Sequence, residues 1–189
     1  MTEPAAEPPA PSTDESFDEL FENGFTRLVR SLVLLGAGRA TAEDLTQDAF
    51  GAAYEKWAEV AHYGHPIAWV ARTALNMWRQ HCRTAQRRDA LLARADPRQL
   101  VKEYKDFSEV DRRLDIQRTL ARLPLRQREV VVLHYILDQP VSAVARTLEV
   151  AEGTVKSQLY DARRTLAGLL AGEDAERDRE GGSSGPDRV

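Results

Sequence analysis

Apolar side chains recur along most of this chain at the three-to-four-residue spacing of a helix face, and no run sustains the alternation of a half-buried strand. The first stripe, Phe17, Leu20, Phe21, Leu28, Leu32 and Leu35, predicts a core helix from about Asp14 that ends at Gly36 and Gly38. Thr41 followed by Asp44 reads as the capped start of a second helix. That helix carries Ala42, Thr46, Ala49, Phe50, Ala53 and Trp57 on one side and a polar line of Asp44, Asp48 and Glu55 on the other. A short loop at Tyr63 and Gly64 leads to Pro66, a favoured first helical residue, and a third helix is expected to about Arg87. Residues 88–108 lose the period and read as a linker.

A second helical block is expected from about Val110 to Leu170. Leu123-Pro124 breaks it once, and Asp138-Gln139-Pro140 breaks it again after a helix from Leu125 to Leu137. The last part, VSAVARTLEVAEGTVKSQLYDARRTL at 141–166, has the layout of a helix-turn-helix. Val144, Ala145 and Leu148 would be buried in its first helix, and Glu149 to Gly153 would form the turn, with Gly153 supplying the unusual backbone angle. A helix from about Thr154 would then bury Val155, Leu159, Ala162 and Leu166 and spread Lys156, Ser157, Tyr160, Arg163 and Arg164 over the opposite side. A polar, cationic surface of this kind suits a phosphate-lined groove. The same pattern also fits an antiparallel helix pair with a solvated basic face.

Composition narrows the class. With 189 residues, 42% of them hydrophobic, the chain can hold one or two small domains, each with a modest core. The pattern is all-α: two small helical domains at 14–87 and 109–170, joined by a flexible linker at 88–108, with disordered tails at 1–13 and 171–189, where MTEPAAEPPAPST and EGGSSGPDRV lack any apolar period. The single cysteine, Cys82, can form no internal disulfide. The absence of a signal-peptide pattern and of a long apolar run points to the cytoplasm and away from membrane insertion.

The net charge of -4 argues against a nucleic-acid binder until its distribution is considered. Residues 1–65 sum to -8, residues 66–105 to +6, residues 106–172 to +1 and residues 173–189 to -3. A basic middle between acidic ends predicts two kinds of partner surface. On the third helix Arg72, Asn76, Arg79, Arg83 and Arg87 share one stripe opposite Ile67, Val70, Ala74 and Met77, with Trp69 beside it. Guanidinium groups next to a flat ring suit opened or single-stranded nucleic acid, because every base offers a face to stack on. A core tryptophan beside a solvated cationic face gives the same pattern. Asp44, Gln47 and Asp48 on the second helix are either solvated or docked on a basic protein surface, and their spacing does not separate the two. His62, His65, His81 and His134 make no spaced ligand set with Cys82, so no metal or other cofactor is expected. No phosphate loop and no signature of a serine or cysteine nucleophile is present, so no enzyme is expected.

Three segments together resemble the extracytoplasmic-function class of bacterial sigma factors, within the sigma-70 family. They are AEDLTQDAFGAAYEKW at 42–57, HPIAWVARTALNMWRQHCR at 65–83 and LPLRQREVVVLHYILDQPVSAVARTLEVAEGTVKSQLYDARRTL at 123–166. The likeness spans about residues 15–170, and the Ala/Arg/Leu bias resembles the actinobacterial branch. It implies that Asp44, Gln47 and Asp48 contact the clamp helices of the largest subunit of core RNA polymerase. It also implies that Trp69, Arg72, Asn76, Arg79 and Arg83 serve recognition and melting at the promoter -10 region, with the loop at 58–65 facing a flipped-out base. For the -35 region it implies Lys156, Ser157, Tyr160, Arg163 and Arg164, with the earlier helices of the second domain on the polymerase β flap. An anti-sigma protein is a further partner that the resemblance allows. Asp161 and Gln158 stand where the family often has basic residues, which moves the expected base reading to the first two turns. The rival readings are a dimeric one-component regulator that binds duplex DNA alone, and an all-α enzyme with an incidental helix-turn-helix.

Overall fold

The structure is a computed structural model that describes residues 13–95 and 111–181, with side chains over 16–88 and 116–169. Among the described residues there is no strand. The first domain consists of α1 (Thr13–Leu34), α2 (Arg39–Glu55), α3 (Trp57–Val60) and α4 (Pro66–Ala95). The second consists of α5 (Asp111–Ala121), α6 (Leu125–Val131), α7 (Val141–Leu148) and α8 (Glu152–Gly181), with α6 running on into a π-helical segment at Val132–Ile136. Residues 1–12 of the expected tail at 1–13, residues 96–108 of the expected linker at 88–108, and residues 182–189 of the expected tail at 171–189 lie outside the described residues.

The apolar stripes become the core. Leu28 and Leu32 of α1, Ala42, Ala49, Phe50 and Ala53 of α2, and Val70, Ala71, Ala74 and Leu75 of α4 are all buried. Phe17, Phe21 and Phe25 of α1, Phe50 and Tyr54 of α2 and Trp57 of α3 form a run of ring contacts, with centroids 5.0–6.5 Å apart. Phe21 and Tyr54 stay exposed at its edge. α1 can cross α2 and α4 closely because Gly24 lies at the crossing: a Cβ there would stand 2.7 Å from Ile67 Cδ1 and 3.1 Å from Phe50 Cζ.

In several places the element boundaries differ from the sequence expectation. α2 begins at Arg39 with Gly38 as its N-cap residue, and no side chain caps it; Thr41 is already the third helical residue. The start is held instead by the backbone bond from Ala42 to Gly38 and by the Arg39–Glu43 ion pair, 3.0 Å, one turn apart. Lys56 leaves helical geometry at φ -110° and ψ 18°, which sets Trp57 in a separate short helix where its ring is still buried. α4 runs past Arg87 to Ala95, and α8 runs past Leu170 to Gly181. Loss of the apolar face does not stop a helix already nucleated, and Ala, Leu, Arg and Glu propagate it at little cost. The turn before α8 takes its left-handed residue from Glu149, φ 57°, whereas Gly153 lies within α8 with no positive φ.

The two domains pack against each other. One cluster of buried side chains includes Leu32 and Ala74 from the first and Leu120, Leu133 and Val144 from the second. α4 lies against α7, and α1 lies against α5 and the π segment.

Candidate nucleic-acid interface and domain boundary

The second domain builds its outward surface by fixing α8 on α6 and α7. Val155, Leu159 and Ala162 are buried against that pair, and Leu166 packs at the edge. A helix anchored along this face must present Lys156, Ser157, Tyr160, Asp161, Arg163 and Arg164 on the other, and all six are exposed. Among the described residues Tyr160 is the most open of the large hydrophobic side chains, at 67% of its full area. Ser157 Oγ donates to the Thr154 carbonyl, 2.9 Å, which turns its hydroxyl back on its own helix. Arg163 is held on the flank: its Nε donates to Tyr135 Oη at 2.7 Å, and its guanidinium stands 5.6 Å from the centre of that ring. Among the described side chains of α8, up to residue 169, the cations thus divide into a forward pair, Lys156 and Arg164, and one braced by the π segment.

In the first domain Asp44, Gln47 and Asp48 all lie exposed on α2. Among the described residues, no hydrogen bond or ion pair from the second domain reaches them. The basic stripe of α4 is different. Asn76 and Arg83 are exposed, and Trp69 is half-buried against the core, so its ring has both the structural and the surface position that the sequence left open. Arg83 Nε donates to the Arg79 carbonyl, 3.3 Å. Arg72 forms an ion pair with Glu149 from the turn before α8. Arg79 donates from Nε and Nη2 to Glu129 Oε1, at 3.1 and 2.8 Å, and Arg126 Nη1 takes Glu129 Oε2 at 3.2 Å. Glu129 is only 3% exposed. Two of the five residues that the family resemblance assigns to the -10 region are therefore occupied by carboxylates of the other domain.

Sequence reasoning missed these partners. The one local signal is Glu129 itself, a carboxylate directly before a run of three valines, where burial without a counter-charge would be costly. Other bonds across the boundary come from residues with no sequence signature. Thr147 Oγ1 donates to the Ala68 carbonyl, 3.3 Å, and Arg27 Nε donates to the Ile136 carbonyl, 3.4 Å. Arg27 also lies 3.8 Å from Asp138, and Gln117 Nε2 donates to the Val33 carbonyl, 3.4 Å. Between the domains a cavity of about 540 Å³ is lined by Tyr63, His65 and Trp69 on one side and by Ser142, Arg146 and Thr147 on the other. Burial pushes the Cys82 thiol above its usual pKa. Among the described residues no group of His, Cys, Asp and Glu could hold a metal ion, and no helix is long and apolar enough to cross a membrane.

Comparison with known proteins agrees with this geometry. The family model for sigma-70 region 2 matches residues 23–88, and that for sigma-70 region 4 matches residues 113–166. The ECF RNA polymerase sigma factor SigM of Mycobacterium tuberculosis is 31% identical over 156 residues, covering 82% of this chain and 77% of its own length. BldN, an ECF RNA polymerase sigma factor of Streptomyces coelicolor, is 29% identical over 166 residues, covering 82% of this chain and 61% of its own. The fold matches that of the sigma factor RpoE from Bartonella quintana, solved with its anti-sigma factor NepR. The TM-score is 0.68 at 22% identity, over 83% of this chain and 98% of that one. With a region 2 domain, a region 4 helix-turn-helix and a relative of this similarity along most of its length, the chain belongs to the extracytoplasmic-function class of sigma-70 family RNA polymerase sigma factors.

Proposed function

We propose that this sigma factor works in the cytoplasm without catalytic chemistry of its own, docking on core RNA polymerase through Asp44, Gln47 and Asp48 and reading a -35 element through the first two turns of α8. The observation that carries the reading is the placement of α8: its buried face is fully used by the second domain, and what remains outward is a polar, cationic surface at the start of a helix. Lys156 and Tyr160 reach base edges from there, and Arg164, further along, holds a phosphate. Ser157 contributes once its hydroxyl rotates away from Thr154. Arg163, braced by Tyr135, is pre-oriented for the backbone. In the first domain Trp69, Asn76 and Arg83 offer stacking and phosphate contacts to an opened -10 strand, joined by Arg72 and Arg79 when their carboxylate partners leave. The helices before α8 meet the polymerase flap, and an anti-sigma protein would compete for these same surfaces.

Transcription in vitro with core polymerase, on templates selected from randomised -35 DNA, tests the reading. Lys156→Ala is expected to cost about 1–3 kcal/mol on the preferred box and to flatten discrimination, whereas Arg164→Ala weakens all boxes alike. Unaltered preference of the Lys156 variant would move the readout elsewhere. Asp48→Arg combined with Gln47→Ala is expected to lower holoenzyme affinity at unchanged helical content, and a normal titration would remove those residues from the polymerase interface.

A further inference from the structure

Asp161 stands near the middle of the face that α8 turns outward. At about 100° per residue, the direction opposite the packed line of Val155, Leu159, Ala162 and Leu166 falls between Tyr160 and Asp161, each about 50° from it, with Ser157 and Arg164 close to its centre. Arg163 lies about 110° away, on the flank where Tyr135 holds it. Among the described residues the Asp161 carboxylate takes part in no hydrogen bond or ion pair, and the Thr165 hydroxyl reaches its backbone carbonyl instead, at 3.0 Å. An exposed anion in this place is unfavourable beside DNA unless the DNA donates to it, since the phosphates on both rims of a groove repel it.

The major groove holds two such donors, the N4 amino group of cytosine and the N6 amino group of adenine; guanine O6 and N7 and thymine O4 are acceptors that repel a carboxylate. The adenine amino group stands beside N7, whose lone pair opposes the same carboxylate, whereas cytosine carries its donor with no acceptor on its own edge. We infer that Asp161 is a base-reading residue of α8 that selects a cytosine at one position of the -35 element. The inference rests on the reading of -35 DNA by α8 proposed above, and adds to it a contact that no cationic side chain can make. Arg164, three residues on and about 60° round the helix, offsets the repulsion between Asp161 and the backbone by holding a phosphate nearby. The two side chains form no ion pair with each other in this structure, so neither has to leave a partner before DNA binds. Discrimination then has both signs: the cytosine amino group is attracted, and guanine or thymine at that position is rejected.

The test is a selection on randomised -35 DNA by the full chain with core polymerase, followed by binding measurements on the selected boxes, for the parent and for Asp161→Ala, Asp161→Asn and Asp161→Arg. The side chain is exposed and unpartnered, so all three variants are expected to keep the parent's helical content by circular dichroism. The parent is expected to select cytosine at one position. Asp161→Ala should flatten that one preference by roughly tenfold and leave the other positions as they were. Asp161→Asn should turn the preference towards adenine and Asp161→Arg towards guanine, because an amide matches N6 and N7 and a guanidinium matches O6 and N7. An unchanged preference at every position in all three variants overturns the inference. So does an Asp161→Ala variant that binds all boxes more tightly with its preferences intact, which would make Asp161 a repulsive charge and nothing more. Lys156→Ala and Arg164→Ala are carried through the same selection: if these too leave preference and affinity unaltered, the reading of -35 DNA by α8 fails as a whole, whereas an effect in them without one at Asp161 removes this residue alone.

Discussion

Glu129 is a carboxylate almost wholly removed from water, and it survives there because three guanidinium hydrogen bonds reach it, two from Arg79 of the first domain and one from Arg126 on its own helix. Deleting one side of a buried pair costs more than the pair contributes net, since the remaining charge is left desolvated. Arg79 is 29% exposed and Arg126 would remain, which moderates the loss. Arg79→Ala is expected to lower stability by about 1–3 kcal/mol in urea or thermal unfolding, with Arg79→Lys recovering only part of it because a point charge cannot use both donor positions. A stability equal to the parent would show that the pair is not maintained in solution. Under the proposed -10 role, a promoter-opening defect in Arg79→Ala would have two sources, and Arg83→Ala, outside that pair, is the cleaner probe of phosphate contact. Cys82 gives a second residue-scale prediction. Partly buried and with its pKa raised by burial, it stays a neutral thiol at physiological pH, so a thiol reagent is expected to label it slowly in the native chain and quickly in denaturant. Equal rates in the two states would contradict that environment.

Elements behave differently from residues here because the helices owe their positions to a few close crossings. At Gly24 the side chains of Ile67 and Phe50 already fill the space that a Cβ would take. Alanine there would clash with the movable end of Ile67 but gain helix propensity, so its two effects oppose. Valine has no such compensation: Gly24→Val is expected to destabilise by about 1–3 kcal/mol in denaturant unfolding, through forced rotamers and a wider crossing. A neutral substitution would mean that α1 and α4 are not in register as described. The faces of these helices were legible from the chain alone, since Leu28, Leu32, Phe50, Val70, Ala74, Val155 and Leu159 obey one local period and all are buried. Their ends were less so. Arg39 rather than Thr41 starts α2 because an ion pair can replace a side-chain cap, and the left-handed turn residue is Glu149 because the helix bond pattern, not residue preference, fixes which position must turn. The site was half legible for a related reason. Which arginines share a stripe follows from helical geometry, but their partners lie 77 and 50 residues further along, and no local pattern can name a contact that only the docking of two domains creates.

For the whole molecule the decisive quantity is how charge is arranged rather than its sum. A net charge of -4 repels DNA at long range, yet the acidic residues that give it that sign include Asp44 and Asp48 on the face of α2 that the second domain leaves open, while the basic stripe of α4 is partly neutralised from within. Such a factor meets a basic protein surface readily and a nucleic acid poorly. Asp44→Asn with Asp48→Asn should leave stability within about 0.5 kcal/mol, because both side chains are exposed and make none of the ion pairs described. The effect should fall on encounter instead: association with core polymerase is expected to slow several-fold at low ionic strength and to approach the parent rate as salt is raised, since charges separated by more than a screening length of roughly 8 Å at physiological ionic strength cease to steer. Stopped-flow association over a salt series reads this directly. A defect that persists undiminished at high salt would make the two aspartates short-range contacts rather than a steering field. Rates equal to the parent at every salt concentration would remove the α2 face from the polymerase encounter altogether.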